Sequence, residues 1–466
     1  MTKFYKILIY TGHCSFLVLL VLSIIYYKER VVFIDTIFQF FKIVNFEKFN
    51  IEAGRFSTFV SQIPLLLAIK ANVGLKSLMW IYSISFIILF YGIFVLCTHT
   101  LKNTVAGITI VFIFLLCIRQ SFYHSSTETH QALLYSALLF ALLYYPFKEK
   151  LGFIKYVLAA LTIILAFYSH PVALFTVLFV IGYYIVDKLK WRETGVYLLI
   201  VIVLLLSITK LIFTPDNSYE GNFFSELLNF DFSFRNIYNA YSTHFFLKRV
   251  DGLYFWPVVF GLITFVFLLL KKDFIKVVYF SLAVTGFLLI TIITYNKGDS
   301  DVMMERAFMP LSIFIIIPFL NGVVINIKNN VRTIAIMFIV TALISGIIRI
   351  NREGQRYHQR YTFVEELVKK ARENPGRKYL LKNTEEINSQ ILIPWPFAFT
   401  TMVISSLESK TSTLTIYICN NIDDFGQYLN GKPEKFLGAP FWIEWDISRL
   451  NSNYFNLPVS TYRVLE

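Results

Sequence analysis

Apolar runs of about twenty residues recur along the first three quarters of this chain, and no other feature restricts its fold as strongly. A helix of this length can cross a membrane because it satisfies its own backbone hydrogen bonds. Hydrophobic residues make up 56% of the chain and charged residues only 16%, against about 25% charged in a soluble domain. We therefore predict an α-helical polytopic membrane protein with a transmembrane part over residues 1–350. About eleven segments are long enough to span: 7–27, 77–97, 103–119, 130–146, 153–169, 171–187, 195–213, 253–270, 274–295, 307–326 and 331–350.

The segment from Ser57 to Ile69 is apolar but short, and Ser61, Gln62 and Pro64 interrupt it. We predict an interfacial or re-entrant helix there rather than a span, and an amphipathic interfacial helix at 36–46. With this segment left out of the spans, every later short basic loop falls on the side of the amino terminus. Basic loops are typical of the cytoplasmic face, so we expect a cytoplasmic amino terminus and an extracytoplasmic carboxyl terminus. The expected location is a bacterial plasma (inner) membrane.

The net charge of +13 does not indicate nucleic-acid binding, because the basic residues lie in clusters between apolar runs. The tail after residue 350 is more polar than the rest of the chain. A helical pattern from Arg360 to Glu373 ends at Asn374-Pro375-Gly376, and strand-like runs follow at Lys378–Leu381 and Leu414–Ile418. We predict that residues 351–466 form a small extracytoplasmic α/β domain.

Asp35 is an acid in an otherwise apolar segment just beyond the first span. Burial of a carboxylate in such a segment can raise its pKa towards the range that suits a general base. The alternative is a structural role, because Asp is a good N-cap and an amphipathic helix is predicted to begin at Thr36. The two roles do not exclude each other.

Two further groups of polar residues fall on the same predicted side of the membrane. Glu52 and Arg55 lie one helical turn apart, where an arginine could hold the phosphate of a lipid carrier. A surface ion pair between them is the alternative. His124 and Glu128, with His130 nearby, could position a hydroxyl acceptor or bind a divalent metal, although the residues do not indicate a metal site. A helix cap at Ser126 or Thr127 is the structural alternative for this loop.

Three later outer segments also carry polar groups. His170-Pro171 opens a span, and Asp299-Ser300-Asp301 precedes Glu305 and Arg306 at the start of another. Two acids in one loop are common, so we give little weight to a metal-diphosphate site there. The loop 214–252 is long enough to cover an active site.

This arrangement resembles the GT-C superfamily of membrane glycosyltransferases, which includes protein mannosyltransferase-like and aminoarabinose transferase-like enzymes. The first features that resemble the family are an acid after the first span, Asp35, and two interfacial helices behind it, at 36–46 and 57–69. The others are the sequences at the start of three later spans: Glu128-Thr129-His130, Tyr168-Ser169-His170-Pro171, and Glu305-Arg306-Ala307-Phe308-Met309-Pro310. The chain departs from the protein mannosyltransferases in having no second acid next to Asp35. The acceptor class is therefore not implied.

The resemblance implies transfer of a sugar from a polyprenyl-phosphate-linked donor to a glycan, lipid or protein acceptor on the extracytoplasmic face. In that mechanism Asp35 is the general base, and Arg55, His170 or Arg306 hold the lipid phosphate. Glu52, His124, Glu128 and His130 complete the expected substrate-binding set. No cofactor is required by this scheme, and a divalent metal remains possible without being indicated.

Two other functions fit the sequence less closely. A polysaccharide polymerase or ligase also joins lipid-linked glycans outside the membrane, and it usually relies on Arg and His in a large late loop such as 214–252. A non-enzymatic lipid or glycan transporter is expected to place acids or Gly/Pro breaks in the middle of several spans. Here the charges lie mostly at span ends, which favours chemistry at the membrane surface.

Overall fold

The computed structural model describes residues 3–148, 152–214, 221 and 226–465. Part of the loop 214–252, namely 215–220 and 222–225, therefore lies outside the described residues. The chain is mainly helical, and six helices within the described ranges are long and apolar enough to cross a membrane. A helix also lies at each of the segments predicted to span. The helical membrane class agrees with this result, while the number of spans and their orientation stay predictions.

The α-helices, in chain order, are α1 (Lys3–Ile25), α2 (Tyr27–Val31), α3 (Ile34–Phe46), α4 (Phe59–Lys70), α5 (Leu75–Val95), α6 (Thr104–Leu115), α7 (Glu128–Tyr144), α8 (Gly152–Phe167), α9 (Ala173–Lys188), α10 (Thr194–Phe213), α11 (Phe234–Asn239), α12 (Tyr241–Leu247), α13 (Phe255–Leu270), α14 (Phe274–Thr294), α15 (Asp301–Phe308), α16 (Leu311–Pro318), α17 (Asn329–Glu373), α18 (Glu385–Ile391), α19 (Phe397–Ser406) and α20 (Gly426–Asn430). Two π-helical segments, Leu96–Thr100 and Phe319–Val324, extend α5 and α16.

The helical structure is interrupted twice between the first long apolar helix and Asp35. Helix α1 ends at Ile25, α2 forms a short turn of helix, and α3 begins at Ile34. Ile34 has a φ of 41°, which is rare for a β-branched residue and indicates local backbone strain. Asp35 is consequently in the first turn of α3, and the residue that caps the helix is Phe33. The interpretation of Asp35 as an N-cap is therefore wrong, because the helix begins two residues earlier than the sequence suggests.

Helix α4 occupies the segment that the sequence assigns to the membrane interface. It has 12 residues and contains Pro64, so it is shorter than the stretch of about 20 residues that a span needs. Its buried face packs against α5 through residues such as Leu65 and Ile69. The opposite face exposes apolar side chains, as expected of a helix that lies along a membrane surface.

One helix connects the last predicted span to the tail. Helix α17 has 45 residues and is about 67 Å long at 1.5 Å per residue. The predicted tail helix, 360–373, is thus the end of a longer helix, because the sequence between 329 and 373 contains no proline. Within it, Gly346 lies directly against the backbone carbonyl of Leu115 in α6, and a side chain there would overlap that oxygen. Small residues at such crossings are typical of membrane helix pairs.

The tail contains helices and strands, as predicted. A three-stranded parallel sheet has the order β2-β1-β5, formed by β2 (Thr415–Cys419), β1 (Lys378–Lys382) and β5 (Arg463–Val464). Strands β3 (Lys435–Ala439) and β4 (Trp442–Asp446) form an antiparallel pair. The two strands predicted from sequence are confirmed. The proposed division at residue 350 falls inside α17, and a separate tail domain stays a prediction.

The tail shares a hydrophobic core with α3. The ring of Phe41 lies 4.8 Å from that of Phe399 in α19 and 5.2 Å from that of Phe455. At the end of α3, Asn45 donates to the carbonyl of Arg449 at 3.0 Å and accepts from the backbone of Asn451 at 2.9 Å. The helix that carries Asp35 is therefore held between the membrane helices and the tail.

Candidate functional site

Asp35 is at the centre of a compact group of polar side chains drawn from three separate parts of the chain. Its carboxylate is 3.4 Å from Nε2 of His124, in the loop before α7, and 3.7 Å from the guanidinium of Arg306 in α15. Arg306 also contacts Nδ1 of His124. Because a guanidinium can only donate, Nδ1 accepts and Nε2 carries the proton that faces Asp35. The His124 side chain is fully buried, whereas that of Asp35 is 33% exposed.

These contacts decide the charge of Asp35. Burial alone would raise its pKa, but contact with His124 and the positive charges of Arg306 and Arg55 lower the pKa of Asp35 to about 2. The expectation of a raised pKa is therefore wrong in direction, and the carboxylate is ionised at neutral pH. Burial and the nearby Arg306 charge lower the pKa of His124, which favours a neutral imidazole beside the carboxylate.

A second carboxylate, Glu128, lies in the first turn of α7 and is almost fully buried. Its Oε1 accepts a hydrogen bond of 3.2 Å from Gln39, one turn beyond Asp35 on α3, and is 3.5 Å from the guanidinium of Arg55. Gln39 in turn accepts a hydrogen bond from Tyr82 of α5 at 3.4 Å. Since the Arg55 charge acts on Asp35 as well, the two carboxylates belong to one site with two arginines.

Positive charge also surrounds His170, in the turn between α8 and α9. Burial and the charges of Arg55, Lys210 and Arg306 lower the pKa of His170 far below its ordinary value. Its Nδ1 accepts from the backbone N–H of Val172 at 3.2 Å, so the ring is neutral and its orientation is fixed. This neutral ring can donate one hydrogen bond to an anion, while the three cations around it supply the charge.

Backbone contacts hold the polar loops of the site in place. Ser57 donates to the carbonyl of Tyr168 at 3.1 Å, which joins the turn of Arg55 to the turn of His170. The fully buried carboxylate of Glu305 accepts three backbone N–H groups at the start of the loop that carries His124. These bonds come from Arg119 at 2.8 Å, Gln120 at 3.1 Å and Ser121 at 2.7 Å. Glu305 therefore fixes this loop against α15, directly beside Arg306.

Two of the predicted substrate-binding residues lie elsewhere. Glu52 does not pair with Arg55; its carboxylate is 2.6 Å from the ammonium of Lys42, two turns along α3 from Asp35. His130 is completely buried among aromatic rings, with centroids 5.9 Å from Phe86 and 5.1 Å from Phe114. Neither ring nitrogen of His130 has a hydrogen-bond partner among the described residues. The structure therefore gives His130 a packing role and gives no support to a role in substrate binding.

The acidic loop before α15 is also structural. Asp301 is 2.9 Å from Arg249 and 3.6 Å from Arg119, so its charge is balanced by two arginines. Within the described ranges, no three His, Cys, Asp or Glu side chains converge to form a metal site.

Sequence reasoning missed four residues that the structure places in or beside the site. Gln39 is in α3, Tyr82 is in α5, and Lys210 is near the carboxyl-terminal end of α10. The position of Gln39 one turn after Asp35 was a usable signal, because residues four apart share a helix face. Lys210 was also detectable as a charge inside a predicted span, which is a functional candidate by default. Glu305 had been noted only as part of a span entry, and nothing in the sequence shows that it binds backbone amides.

Comparisons with protein families, curated proteins and solved structures give no match to this chain.

Proposed function

We propose that this chain is a membrane glycosyltransferase that moves a sugar from a polyprenyl-phosphate carrier to a hydroxyl acceptor at the membrane surface. The observation that carries the proposal is the ionised Asp35 carboxylate, partly exposed and in contact with His124 and Arg306. A carboxylate beside phosphate-binding cations is what an inverting transfer needs. The resemblance of the chain to the GT-C superfamily supports the same reaction class.

In the proposed reaction, Asp35 accepts the proton of the acceptor hydroxyl as that oxygen bonds to the anomeric carbon. The bond between this carbon and the phosphate oxygen breaks on the opposite face of the sugar. The electron pair of the broken bond leaves with the polyprenyl phosphate, whose charge Arg306 and Arg55 stabilise. Glu128 and Gln39 keep Arg55 in position through their contacts.

The low pKa of Asp35 is compatible with its role as a base, because Arg306 can interact either with Asp35 or with a bound phosphate. In the absence of substrate the Arg306 charge helps to keep Asp35 ionised. A bound phosphate would attract the same guanidinium and add negative charge close to Asp35. Both effects raise the pKa of Asp35 and strengthen it as a base only when the donor is present.

Helix α4 supplies a surface for the lipid part of the donor. Phe56 just before it, and Phe59, Ile63 and Leu67 on it, are exposed by 57%, 38%, 37% and 63%. Their spacing places them along one side of the helix. Arg55 directly precedes this apolar stripe, so a phosphate at Arg55 would leave its polyprenyl chain beside α4.

The test is to reconstitute the full chain in liposomes with a panel of polyprenyl-phosphate sugars and to measure sugar release from the lipid. We expect Asp35→Asn to reduce turnover about 10²- to 10⁴-fold, the range typical of a lost general base. Asp423→Asn is the matched control, because Asp423 is an exposed acid of the tail, between β2 and β3. Unfolding midpoints of both variants separate lost chemistry from lost folding.

Turnover with at least one donor, lost in Asp35→Asn and kept in Asp423→Asn, would support the proposal. Turnover that is absent with every donor, or equal in wild type and Asp35→Asn, would contradict it.

A further inference from the structure

A cavity of about 610 Å³ opens between α1, α2 and α17, apart from the Asp35 site. Its polar lining includes Lys28, Glu29, His358 and Glu365, and its aromatic lining includes Tyr26, Tyr27 and Tyr361, with Ile25 at the apolar end. We call this cavity the α2–α17 groove. None of the residues assigned to the Asp35 site lines it.

Aromatic side chains separate the groove from Asp35. Tyr26 contacts Tyr123 with ring centroids 5.5 Å apart, and Tyr123 stacks on Tyr357 at 4.5 Å. Phe33 closes this layer, with its centroid 4.9 Å from that of Tyr357. The groove is therefore a site of its own rather than an extension of the Asp35 site.

Two pairs of acidic and basic side chains lie in the groove. The carboxylate of Glu29 is 2.9 Å from Nδ1 of His358, and the ammonium of Lys28 is 3.4 Å from the carboxylate of Glu365. The side chain of Glu29 is only 5% exposed, whereas that of His358 is 65% exposed. The Lys28–Glu365 pair is partly exposed on both sides, and such pairs contribute little to stability, so this pair can open to a ligand at low cost. A ligand that carries both a positive and a negative group would match these charges.

The position of the groove indicates an amphiphilic ligand. The apolar helix α1, which is long enough to span a membrane, ends at Ile25 in the groove lining. Leu17, Val21, Ile24 and Ile25 are exposed along one face of α1, at the spacing that forms a continuous helical stripe. This stripe leads from the membrane segment directly to the charged groups.

We propose that the α2–α17 groove binds the headgroup of an amine-bearing zwitterionic phospholipid such as phosphatidylethanolamine. The ammonium group donates hydrogen bonds to Glu29 and Glu365, and the phosphate accepts from Lys28. The acyl chains lie along the exposed stripe of α1. The tyrosines sit at the depth of the headgroups, where such side chains are common in membrane proteins.

The test is native mass spectrometry of the detergent-purified full chain with equal amounts of phosphatidylethanolamine and phosphatidylglycerol of identical acyl chains. We expect about tenfold higher occupancy by phosphatidylethanolamine, as charge-assisted hydrogen bonds to an ammonium group would give. Lys28→Met and Glu365→Gln change exposed groups and should each reduce this preference several-fold. Glu29→Gln should abolish it. Lys410→Met and Glu408→Gln, which change exposed residues of the tail, are the matched controls and should leave it unchanged.

Equal occupancy by the two lipids in the wild type would overturn the proposal, as would an unchanged preference in both Lys28→Met and Glu365→Gln. A third lipid, a neutral glycosyl-diacylglycerol with the same acyl chains, is measured in the same way. If it is retained more strongly than phosphatidylethanolamine, the proposal is also overturned, because the groove would then recognise a sugar. If Glu29→Gln does not fold, the two variants of exposed residues still decide the outcome. The test needs no catalytic turnover and is independent of the proposed transferase activity.

Discussion

Removal of the Glu305 carboxylate should loosen the loop that carries His124. In the folded chain, Oε1 of Glu305 accepts from the amides of Arg119 and Ser121, and Oε2 accepts from that of Gln120. A buried amide that loses its acceptor costs about 1–3 kcal/mol. Glu305→Ala removes all three bonds but also removes the cost of burying a charge, so we expect a loss of about 3–5 kcal/mol in the free energy of unfolding.

Glu305→Gln should be intermediate. Its remaining oxygen can take the place of Oε1 and keep two of the three bonds, while its NH₂ group would face the amide of Gln120. We expect a loss of about 2 kcal/mol, from one missing bond and one unfavourable donor–donor contact. The order of stability is then wild type, Glu305→Gln, Glu305→Ala.

Two measurements test this prediction on the purified full chain. Denaturant unfolding, followed by tryptophan fluorescence, gives the order of stability. Amide hydrogen exchange of a peptide over 118–127 reports on the loop itself and should be faster in both variants. Glu408→Gln is the control: Glu408 is 74% exposed, so its substitution should stay within about 0.5 kcal/mol of wild type. The reasoning is refuted if exchange of this peptide and the unfolding midpoint of Glu305→Ala both equal those of wild type.

Three further predictions concern charge and packing. Contacts lower the pKa of Asp35 to about 2 in the folded chain, below the value of about 3.9 for an unfolded aspartate. The ionised carboxylate therefore stabilises the fold fully above the unfolded pKa, and this stability is lost as the pH falls towards the folded pKa. The unfolding-midpoint difference between wild type and Asp35→Asn should be constant from about pH 5 to 8 and shrink below about pH 4. Arg30 is fully buried and donates to the hydroxyl of Ser83 at 2.9 Å. Arg30→Lys should lower the unfolding free energy by about 2–3 kcal/mol, because an ammonium group cannot replace the planar guanidinium. An unchanged denaturation midpoint would contradict this. Gly346→Ala should cost about 1–3 kcal/mol in the same assay, because a Cβ would overlap the backbone oxygen of Leu115. Gly286 faces open space, so Gly286→Ala should cost nothing.

The sequence was sufficient to identify most of the loops that meet at the candidate site, because charged residues collect at the ends of apolar runs. It could not predict which charges would pair. Glu52 is close to Arg55 in sequence, yet Arg55 pairs with Glu128 and Glu52 with Lys42. These choices depend on how α3, α4 and α7 pack, which is a tertiary property.

The direction of the Asp35 pKa shift was unpredictable for the same reason. An acid in an apolar segment suggests desolvation, and desolvation is the largest single influence on the pKa of Asp35. The contacts that together outweigh it come mainly from His124 and Arg306, far along the chain. The position of His130 has a local explanation. Residues two apart on a helix point to nearly opposite sides. Because Glu128 faces the site, His130 points towards Phe86 of α5 and Phe114 of α6.

The shared core of α3 and the tail has a consequence for exchanging parts of this protein. Phe399 and Phe455 pack on Phe41, on the same short helix as Asp35. A tail taken from another chain would have to reproduce this aromatic surface, or α3 would shift and move Asp35 relative to Arg306. The tail is thus part of the framework that determines the geometry of the candidate site, and a change of tail would alter that geometry without replacing any residue of the site.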